Sequence, residues 1–179
     1  MVELRLVKPL PVHREQYEQM MEEWEAFGGR LHPGALRRFS RKQGRNVSFD
    51  EWLRWIEEDS APETCPPGTV PQQLYFLMDD RERILGAVTL RPKLNDALLL
   101  SGGNMGLGIR PTERRKGYAT RMIALAVKLL TEQGLNRVLI TCDRDNVGSA
   151  GAIRSNGGVI ENEIVGENGN IVQRYWIYC

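Results

Sequence analysis

The feature that most restricts the fold is a stretch in the second half of the chain, GLGIRPTERRKGYATRM, residues 106–122. A short apolar strand over 105–109 leads into a proline turn, three basic residues and a glycine. The apolar spacing then predicts an amphipathic helix over 117–133. The apolar run RVLIT, 137–141, predicts a strand covered on both faces. We therefore expect a strand, a helix and a strand that form a parallel, right-handed crossover.

Glycines interrupt the first strand of this unit at Gly106 and Gly108. Glycine weakens a strand and usually marks a bulge or a close approach by another backbone or a ligand. We therefore expect this strand to be bulged, with a ligand or a second segment of chain against it.

Helices and strands elsewhere extend this unit to a whole domain. Apolar side chains at helical spacing predict a helix over 12–27 with a buried face made of Tyr17, Met20, Met21, Trp24 and Phe27. A capping box at Ser48 and Glu51 predicts a second helix. Further strands are predicted over 2–7, 74–78, 84–90, 159–165 and 171–179.

The length and element order together predict one domain of mixed α/β class. The 179 residues are enough for one sizeable core, and no repeat or linker divides them. We expect a single domain over residues 1–179, with one central mixed sheet flanked by helices.

Charge and cysteine content exclude several classes of protein. The 24 basic and 23 acidic residues leave a net charge of +1, so any anion site is local and a nucleic-acid partner is disfavoured. Three cysteines do not form a disulfide framework and suit a reducing compartment. Without an apolar leader, a membrane-length apolar run or a metal-binding Cys/His cluster, we expect a cytoplasmic protein with no metal.

The basic residues Arg114, Arg115 and Lys116 directly precede Gly117, where the helix begins. Free N–H groups at a helix N-terminus attract anions, and glycine lets the backbone approach phosphate oxygens. Basic side chains at this end oppose the helix dipole unless an anion is present. The Walker and dinucleotide glycine patterns are both absent, so the loop predicts a site for a diphosphate-like anion of another kind.

These residues resemble the coenzyme A pyrophosphate loop of the GNAT superfamily of N-acetyltransferases. The superfamily pattern, (R or Q)-x-x-G-x-(G or A), is matched by Arg114, Gly117 and Ala119. Asn146 and Ser149, followed by a short helix ending in NGG, are similar to its second acetyl-CoA motif. The residues of both motifs resemble those of one group of bacterial predicted acetyltransferases. The resemblance covers about residues 70–179.

The resemblance implies a GNAT-like acyl-CoA N-acyltransferase fold, acetyl-CoA as cosubstrate and direct attack of an amine on the thioester. The pantetheine arm would lie between the strands at 105–109 and 137–141, with an N–H near Leu107 as oxyanion donor. The coenzyme contacts it implies are Leu107, Gly108, Ile109, Arg114, Arg115, Lys116, Gly117, Tyr118, Ala119, Thr120, Asn146, Ser149 and Ile153.

The sequence departs from the superfamily at the general acid. Many members carry a Tyr seven residues after the motif Asn, and this position is Ile153 here. Either the thiolate leaves unassisted, or Tyr175 or Tyr178 on the last strand supplies the proton; Tyr178 is the one we select. Asp143, just after an apolar strand, is the candidate general base.

Other reactive side chains are interpreted as structural. His13 and His32 are isolated in the sequence, and Cys142 has no nearby His partner and is expected to be a buried thiol.

Three functions remain open from the sequence. The leading hypothesis is an acetyl-CoA-dependent N-acetyltransferase acting on an unidentified primary amine. The alternative is an acyl-CoA-binding sensor with the same fold and little or no catalysis. A third is a nucleic-acid or ribosome-associated protein that uses the basic run 37–45, whose other interpretation is a solvated loop. A homodimer is compatible with the sequence, and no membrane partner is expected.

Overall fold

The computed structural model describes residues 3–40, 44–166 and 168–179. Part of the basic run 37–45 lies outside these residues. The helices are α1 (Arg14–Phe27), α2 (Phe49–Glu58), α3 (Asp96–Leu100), α4 (Tyr118–Glu132) and α5 (Val147–Arg154). The strands are β1 (Arg5–Val7), β2 (Phe39–Ser40), β3 (Arg45–Asn46), β4 (Gln73–Met78), β5 (Ile84–Leu90), β6 (Met105–Ile109), β7 (Arg137–Asp143), β8 (Val159–Val165) and β9 (Ile171–Tyr178).

The strands form two main antiparallel sheets, and the expected mixed α/β class is confirmed. One sheet has the order β1-β4-β5-β6 and the other the order β7-β9-β8, while β2 and β3 make a small hairpin. The expected single sheet is therefore divided between β6 and β7. The predicted crossover does not place these strands in one ladder, because α4 links the edge strand of one sheet to the edge strand of the other.

Asn104 joins the two sheets at the point where they meet. Its backbone N–H donates to the Leu139 carbonyl at 2.8 Å, and its side-chain oxygen accepts from the Leu139 N–H at 2.8 Å. Its side-chain NH₂ donates to the Arg91 carbonyl at 2.8 Å. Gly103 lies so close to Leu139 that a Cβ there would overlap the Leu139 carbonyl oxygen. The junction therefore depends on one buried amide and one residue without a side chain.

Strand β6 pairs with β5 in continuous register, so the bulge expected from its glycines is absent on that side. Hydrogen bonds from Arg91 N to Asn104 O and from Arg110 N to Leu85 O show which residues of β6 direct their backbone groups towards β5. Alternate residues of an antiparallel strand turn their N–H and C=O groups to opposite edges. The residues whose backbone groups point away from β5, towards β7, are Met105, Leu107 and Ile109.

Hydrophobic clusters cover both faces of the larger sheet. One cluster packs α4 and α5 against β5, β6, β7 and β9, and the other packs α1 and α2 against β4 and β5. The expected burial of Tyr17, Met20 and Trp24 on α1 is confirmed, but Phe27 is 63% exposed and the prediction was wrong there. Phe27 ends α1, beyond the part of the helix that the sheet covers.

Local signals explain where several helices begin. Ser48 caps α2, accepting from Glu51 N at 3.1 Å as its capping box predicts. The short helix α3 was not predicted from the sequence, and its N-cap is Asn95, whose side chain accepts from Leu98 N. Among the residues that the structure describes, no helix is long and apolar enough to cross a membrane.

We expect Asn104→Ala to lower the free energy of unfolding by about 2 to 4 kcal/mol. The substitution leaves the Arg91 carbonyl and the Leu139 N–H without partners, and each unsatisfied buried group costs about 1 to 3 kcal/mol. Urea unfolding measures the change. Asn46→Ala, at an exposed position, is the matched control and should stay within about 0.5 kcal/mol of the wild type. Equal stabilities for the two variants would refute the role of Asn104.

Candidate active site

The turn before α4 presents a row of free backbone donors. In the described part of the chain, the N–H groups of residues 115–120 donate to no acceptor. Arg115 and Gly117 both have positive φ, +64° and +80°, which curls this backbone into the helix. Gly117 has a left-handed backbone conformation, which favours glycine. A Cβ there would meet open space, so no neighbouring atom covers the turn at this position. Such a turn can hold an anion.

Two of the three basic side chains in this turn are engaged by the protein itself. The Arg114 guanidinium lies over the rings of Phe27 and Trp24, at 4.5 and 5.2 Å, and its Nε donates to the Ile109 carbonyl at 3.2 Å. Lys116 Nζ donates to Glu113 Oε2 at 2.9 Å. Arg115 is exposed and forms no ion pair within the described residues. The turn therefore has one exposed basic side chain, Arg115, and two, Arg114 and Lys116, that contacts within the protein hold in place.

A network of charged side chains connects α1 to the start of this turn. Arg110 is 1% exposed, and it donates to Glu23 Oε1 at 2.5 Å and to the Ile84 carbonyl at 3.2 Å. Thr112 Oγ1 donates to the other oxygen of Glu23 at 2.7 Å. The hydrogen bond from Arg110 is the main reason that the pKa of Glu23 falls from 4.5 to about 2. Glu23 is therefore ionised near neutral pH, and it pairs with the buried Arg110.

Arg83 extends the network to the basic turn. Its Nε donates to Glu113 Oε1 at 3.0 Å, and its Nη2 lies 3.6 Å from Glu23 Oε1. Burial opposes ionisation of Glu113, but the hydrogen bonds from Lys116 and Arg83 outweigh it and lower its pKa. The sequence analysis missed Glu23, Arg83 and Arg110, because ion pairs between distant segments leave no spacing signal.

A cleft opens between β6 and β7 beyond the Asn104 junction. The phase of the β5–β6 ladder turns the Leu107 N–H towards this cleft from the free edge of β6. On the far side, Asn146 caps α5 by accepting from Ser149 N at 3.1 Å. Asn156 on the last turn after α5 donates to the Thr120 carbonyl at 3.0 Å and fixes α5 against α4. This bond holds the end of α5 near the first turn of α4.

Gly106 and Gly108 of β6 face the side of the sheet on which α1 and the segment after it cross the strand. A Cβ at Gly108 would overlap the His32 carbonyl and approach Trp24 Cη2 to 2.8 Å. A Cβ at Gly106 would lie 4.0 Å from Pro33. The close approach predicted from these glycines is therefore made by the chain's own backbone, which brings His32 to the strand that borders the cleft.

The structure does not bring the two predicted catalytic residues together. Asp143 is exposed at the cleft end of β7, where it accepts a hydrogen bond from the Asn170 side chain. Tyr178 is 66% exposed and pairs with Arg137 at the other end of β7. A seven-residue strand places these ends about 20 Å apart. Tyr178 and Asp143 therefore cannot act on the same group.

Three other residues considered in the sequence analysis, Ile153, Tyr175 and Cys142, are buried or partly buried. Ile153 is 1% exposed and packs within the core, and its expected contact with the coenzyme stays a prediction. Tyr175 is equally buried, and its hydroxyl donates to Gln173 at 2.7 Å and accepts from Arg154 at 3.0 Å. Burial raises the pKa of Cys142 to about 11, so this thiol is protonated and unreactive near neutral pH.

An open pocket of about 450 Å³ adjoins the glycine face of β6. Trp24 forms a wall of this pocket and also contacts β6 and Arg114. The remaining lining residues are Tyr17, Met21, Glu25, Gly28, Gly29, Leu31, Arg37, Arg38 and Asn46. The pocket is mixed in charge and partly aromatic.

The divided sheet and the free donors at α4 form the candidate site, and the family of the chain shows that it is an acyltransferase. The chain belongs to the GNAT acetyltransferase domain family, whose model matches residues 4–159. No curated protein sequence matches the chain.

Solved structures share this fold at low identity. A structure of the microcin C7 self-immunity acetyltransferase MccE, in complex with acetyl-CoA and AMP, is 18% identical with a TM-score of 0.66, over 99% of this chain and 93% of that one. The ribosomal L7/L12 α-N-protein acetyltransferase RimL, in complex with coenzyme A, is 15% identical with a TM-score of 0.64, over 98% and 93%. The spermidine/spermine N-acetyltransferase SpeG from Vibrio cholerae is 16% identical with a TM-score of 0.59, over 99% and 95%.

We expect Glu23→Gln to destabilise the protein by about 3 kcal/mol at pH 7, because it leaves the buried Arg110 without an anion. The pKa of Glu23 is depressed in the folded state, so its contribution is present above pH 4.5 and is lost as the pH falls towards about 2. The difference in unfolding free energy between variant and wild type should therefore decrease as the pH falls from 4.5 towards about 2. Denaturant unfolding at pH 7 and at pH 3 measures it.

Glu25→Gln, on the same helix and exposed, is the matched control and should change stability by less than about 0.5 kcal/mol. A Glu23→Gln variant with wild-type stability at both pH values would show that Arg110 does not depend on Glu23.

Proposed function

We propose that the protein is an acetyl-CoA-dependent N-acetyltransferase that transfers the acetyl group to a primary amine. The observation that carries the proposal is the row of free N–H groups at residues 115–120, in line with the free edge of β6. The proposal treats residues 1–179 as a single acetyltransferase domain, and the free state of all three cysteines supports a reducing cytoplasm as its location.

The residues of the turn fit a coenzyme diphosphate. The backbone of Arg115 to Thr120 would donate to its oxygens, and Arg115 would add a positive charge. The free edge of β6 around Leu107, Gly108 and Ile109 would hold an extended pantetheine arm as an added strand does. Asn146 and Ser149 shape the start of α5 on the other wall of the cleft.

Acetyl-CoA supplies an activated acetyl group in the form of a thioester. The Leu107 N–H, free on the cleft edge of β6, would donate to the carbonyl oxygen as negative charge develops there. The amine attacks directly, so no nucleophilic side chain is needed, which agrees with the protonated state of Cys142. Asp143 remains a candidate base at the open end of the cleft. The thiolate leaves without a tyrosine acid in this scheme.

The acceptor would enter from the pocket beside Trp24. Trp24 lines this pocket and lies against Gly108 of β6, which supports an acceptor site on this side of the strand. The structural neighbours include a spermidine/spermine N-acetyltransferase, a ribosomal L7/L12 α-N-protein acetyltransferase and a microcin C7 self-immunity acetyltransferase, so the fold alone does not select an acceptor.

A panel of amines with acetyl-CoA tests the proposal, with released thiol scored above spontaneous hydrolysis. The panel contains spermidine, free amino acids, aminoacyl nucleotides, and peptides with acidic or basic N-termini. Turnover of at least one amine at a rate that depends on enzyme concentration is expected. Binding of acetyl-CoA without any turnover would favour the alternative, an acyl-CoA sensor, for which the replacement of the usual acid by the buried Ile153 is the supporting observation.

We expect Gly117→Glu to weaken coenzyme A binding by about 100-fold or more, because a carboxylate beside the diphosphate costs several kcal/mol. Isothermal titration with coenzyme A measures the loss. Gly134→Glu is the matched control: its φ is +94°, a Cβ there also meets open space, and it lies at the other end of α4. Similar affinities in the two variants would place the coenzyme elsewhere.

We expect Tyr178→Phe to keep kcat within about twofold of the wild type, because this hydroxyl lies on the far side of the sheet junction from the cleft. Steady-state kinetics with the best amine of the panel measures it. A general acid contributes about 100-fold to 10,000-fold, so a loss of that size with unchanged acetyl-CoA affinity would restore the acid role to Tyr178.

A further inference from the structure

We propose that His32 is the catalytic base that takes the proton from the acceptor amine. This inference rests on the proposed function and names a residue of the same site. It replaces both the structural interpretation of His32 and the candidate base Asp143, which becomes a residue that tunes His32 instead.

The position of His32 follows from its contact with β6. Its carbonyl lies where a Cβ of Gly108 would be, directly beside Leu107, whose N–H faces the cleft. Pro33, the next residue, packs at Gly106. The chain is therefore laid along the strand that would carry the thioester, on the side of the acceptor pocket. Trp24 also lies against Gly108, and it lines the pocket.

Burial and two charged groups act on the imidazole. Desolvation by the surrounding chain lowers the pKa of His32 below 6.5, the positive charge of Arg30 lowers it further, and the carboxylate of Asp143 raises it. Arg91, partly buried beside Gly106, lies on the same face of β6. Asp143 lies at the end of β7, and the His32 side chain itself is exposed. The ring is therefore neutral near pH 7 and can accept a proton.

The step balances without a further reagent. An ammonium acceptor first loses one proton to solvent, and its nitrogen then bonds to the acetyl carbon while the carbon–sulfur bond breaks. The sulfur leaves with the electron pair and takes a proton from water. The second proton of the amine passes to the neutral nitrogen of His32, which returns it to solvent. The products are the amide, free coenzyme A and one proton.

Activity of His32→Gln is measured with acetyl-CoA and the panel amine that the wild type acetylates fastest. We expect kcat at pH 7.5 to fall by about 100-fold to 10,000-fold with unchanged acetyl-CoA affinity. Arg30→Gln should move the acid limb of the kcat/KM profile to higher pH, and Asp143→Asn should move it to lower pH. A purely structural role would not displace the limb in opposite directions.

Proton NMR titration provides a readout that does not depend on turnover. The chain has two histidines, so the His32 signal is the one absent from His32→Gln. His13 is 7% exposed and accepts from Leu10 N at 3.1 Å, which makes it an internal reference. We expect His32 in the coenzyme A complex to titrate below 6.5, with the two charge variants shifted as in the kinetics.

The outcomes separate the two proposals. If amines are acetylated and His32→Gln keeps the wild-type rate and profile, the role of His32 is overturned while the proposed function stands. A large loss in Asp143→Asn, with His32→Gln unaffected, returns the base to Asp143. An imidazole that titrates above pH 7.5 also overturns the proposal. If no amine is acetylated, the proposed function fails and the role of His32 fails with it.

Discussion

The structure depends on the amide of Asn104, which holds two sheets together where their edge strands diverge. Its side chain donates to one sheet at Arg91 and accepts from the other at Leu139, while its own N–H makes a third bond. Beyond this point β6 and β7 share no ladder in the described chain, so both leave backbone edges free. A cleft with unpaired backbone donors is the direct consequence of joining the sheets at one point.

Charge pairing positions the turn at the end of that cleft. Arg110 cannot be buried without the anion of Glu23, and the same carboxylate holds Thr112 and approaches Arg83. Arg83 in turn holds Glu113, which orients Lys116. The network fixes the approach to the turn from α1, while the turn itself keeps its N–H groups for a ligand.

The functional turn could be predicted from the sequence because its signal is local. A glycine with positive φ, basic neighbours and an amphipathic helix within about a dozen residues are enough to indicate an anion site. The glycines of β6 also predicted a close approach, but not its partner, since either a ligand or another segment satisfies the same pattern. The partner is His32, 76 residues earlier in the chain.

The sequence by itself determined the mixed α/β class, most element positions and the basic glycine turn before α4, since these follow from side-chain periodicity and backbone preference over short spans. Only the tertiary structure decided that the sheet divides at Asn104, that Ile153 belongs to the core, and that Asp143 and Tyr178 lie at opposite ends of β7. It alone brought His32 to β6. These outcomes depend on contacts between segments far apart in the chain, where register and packing select among pairings that local patterns leave equivalent.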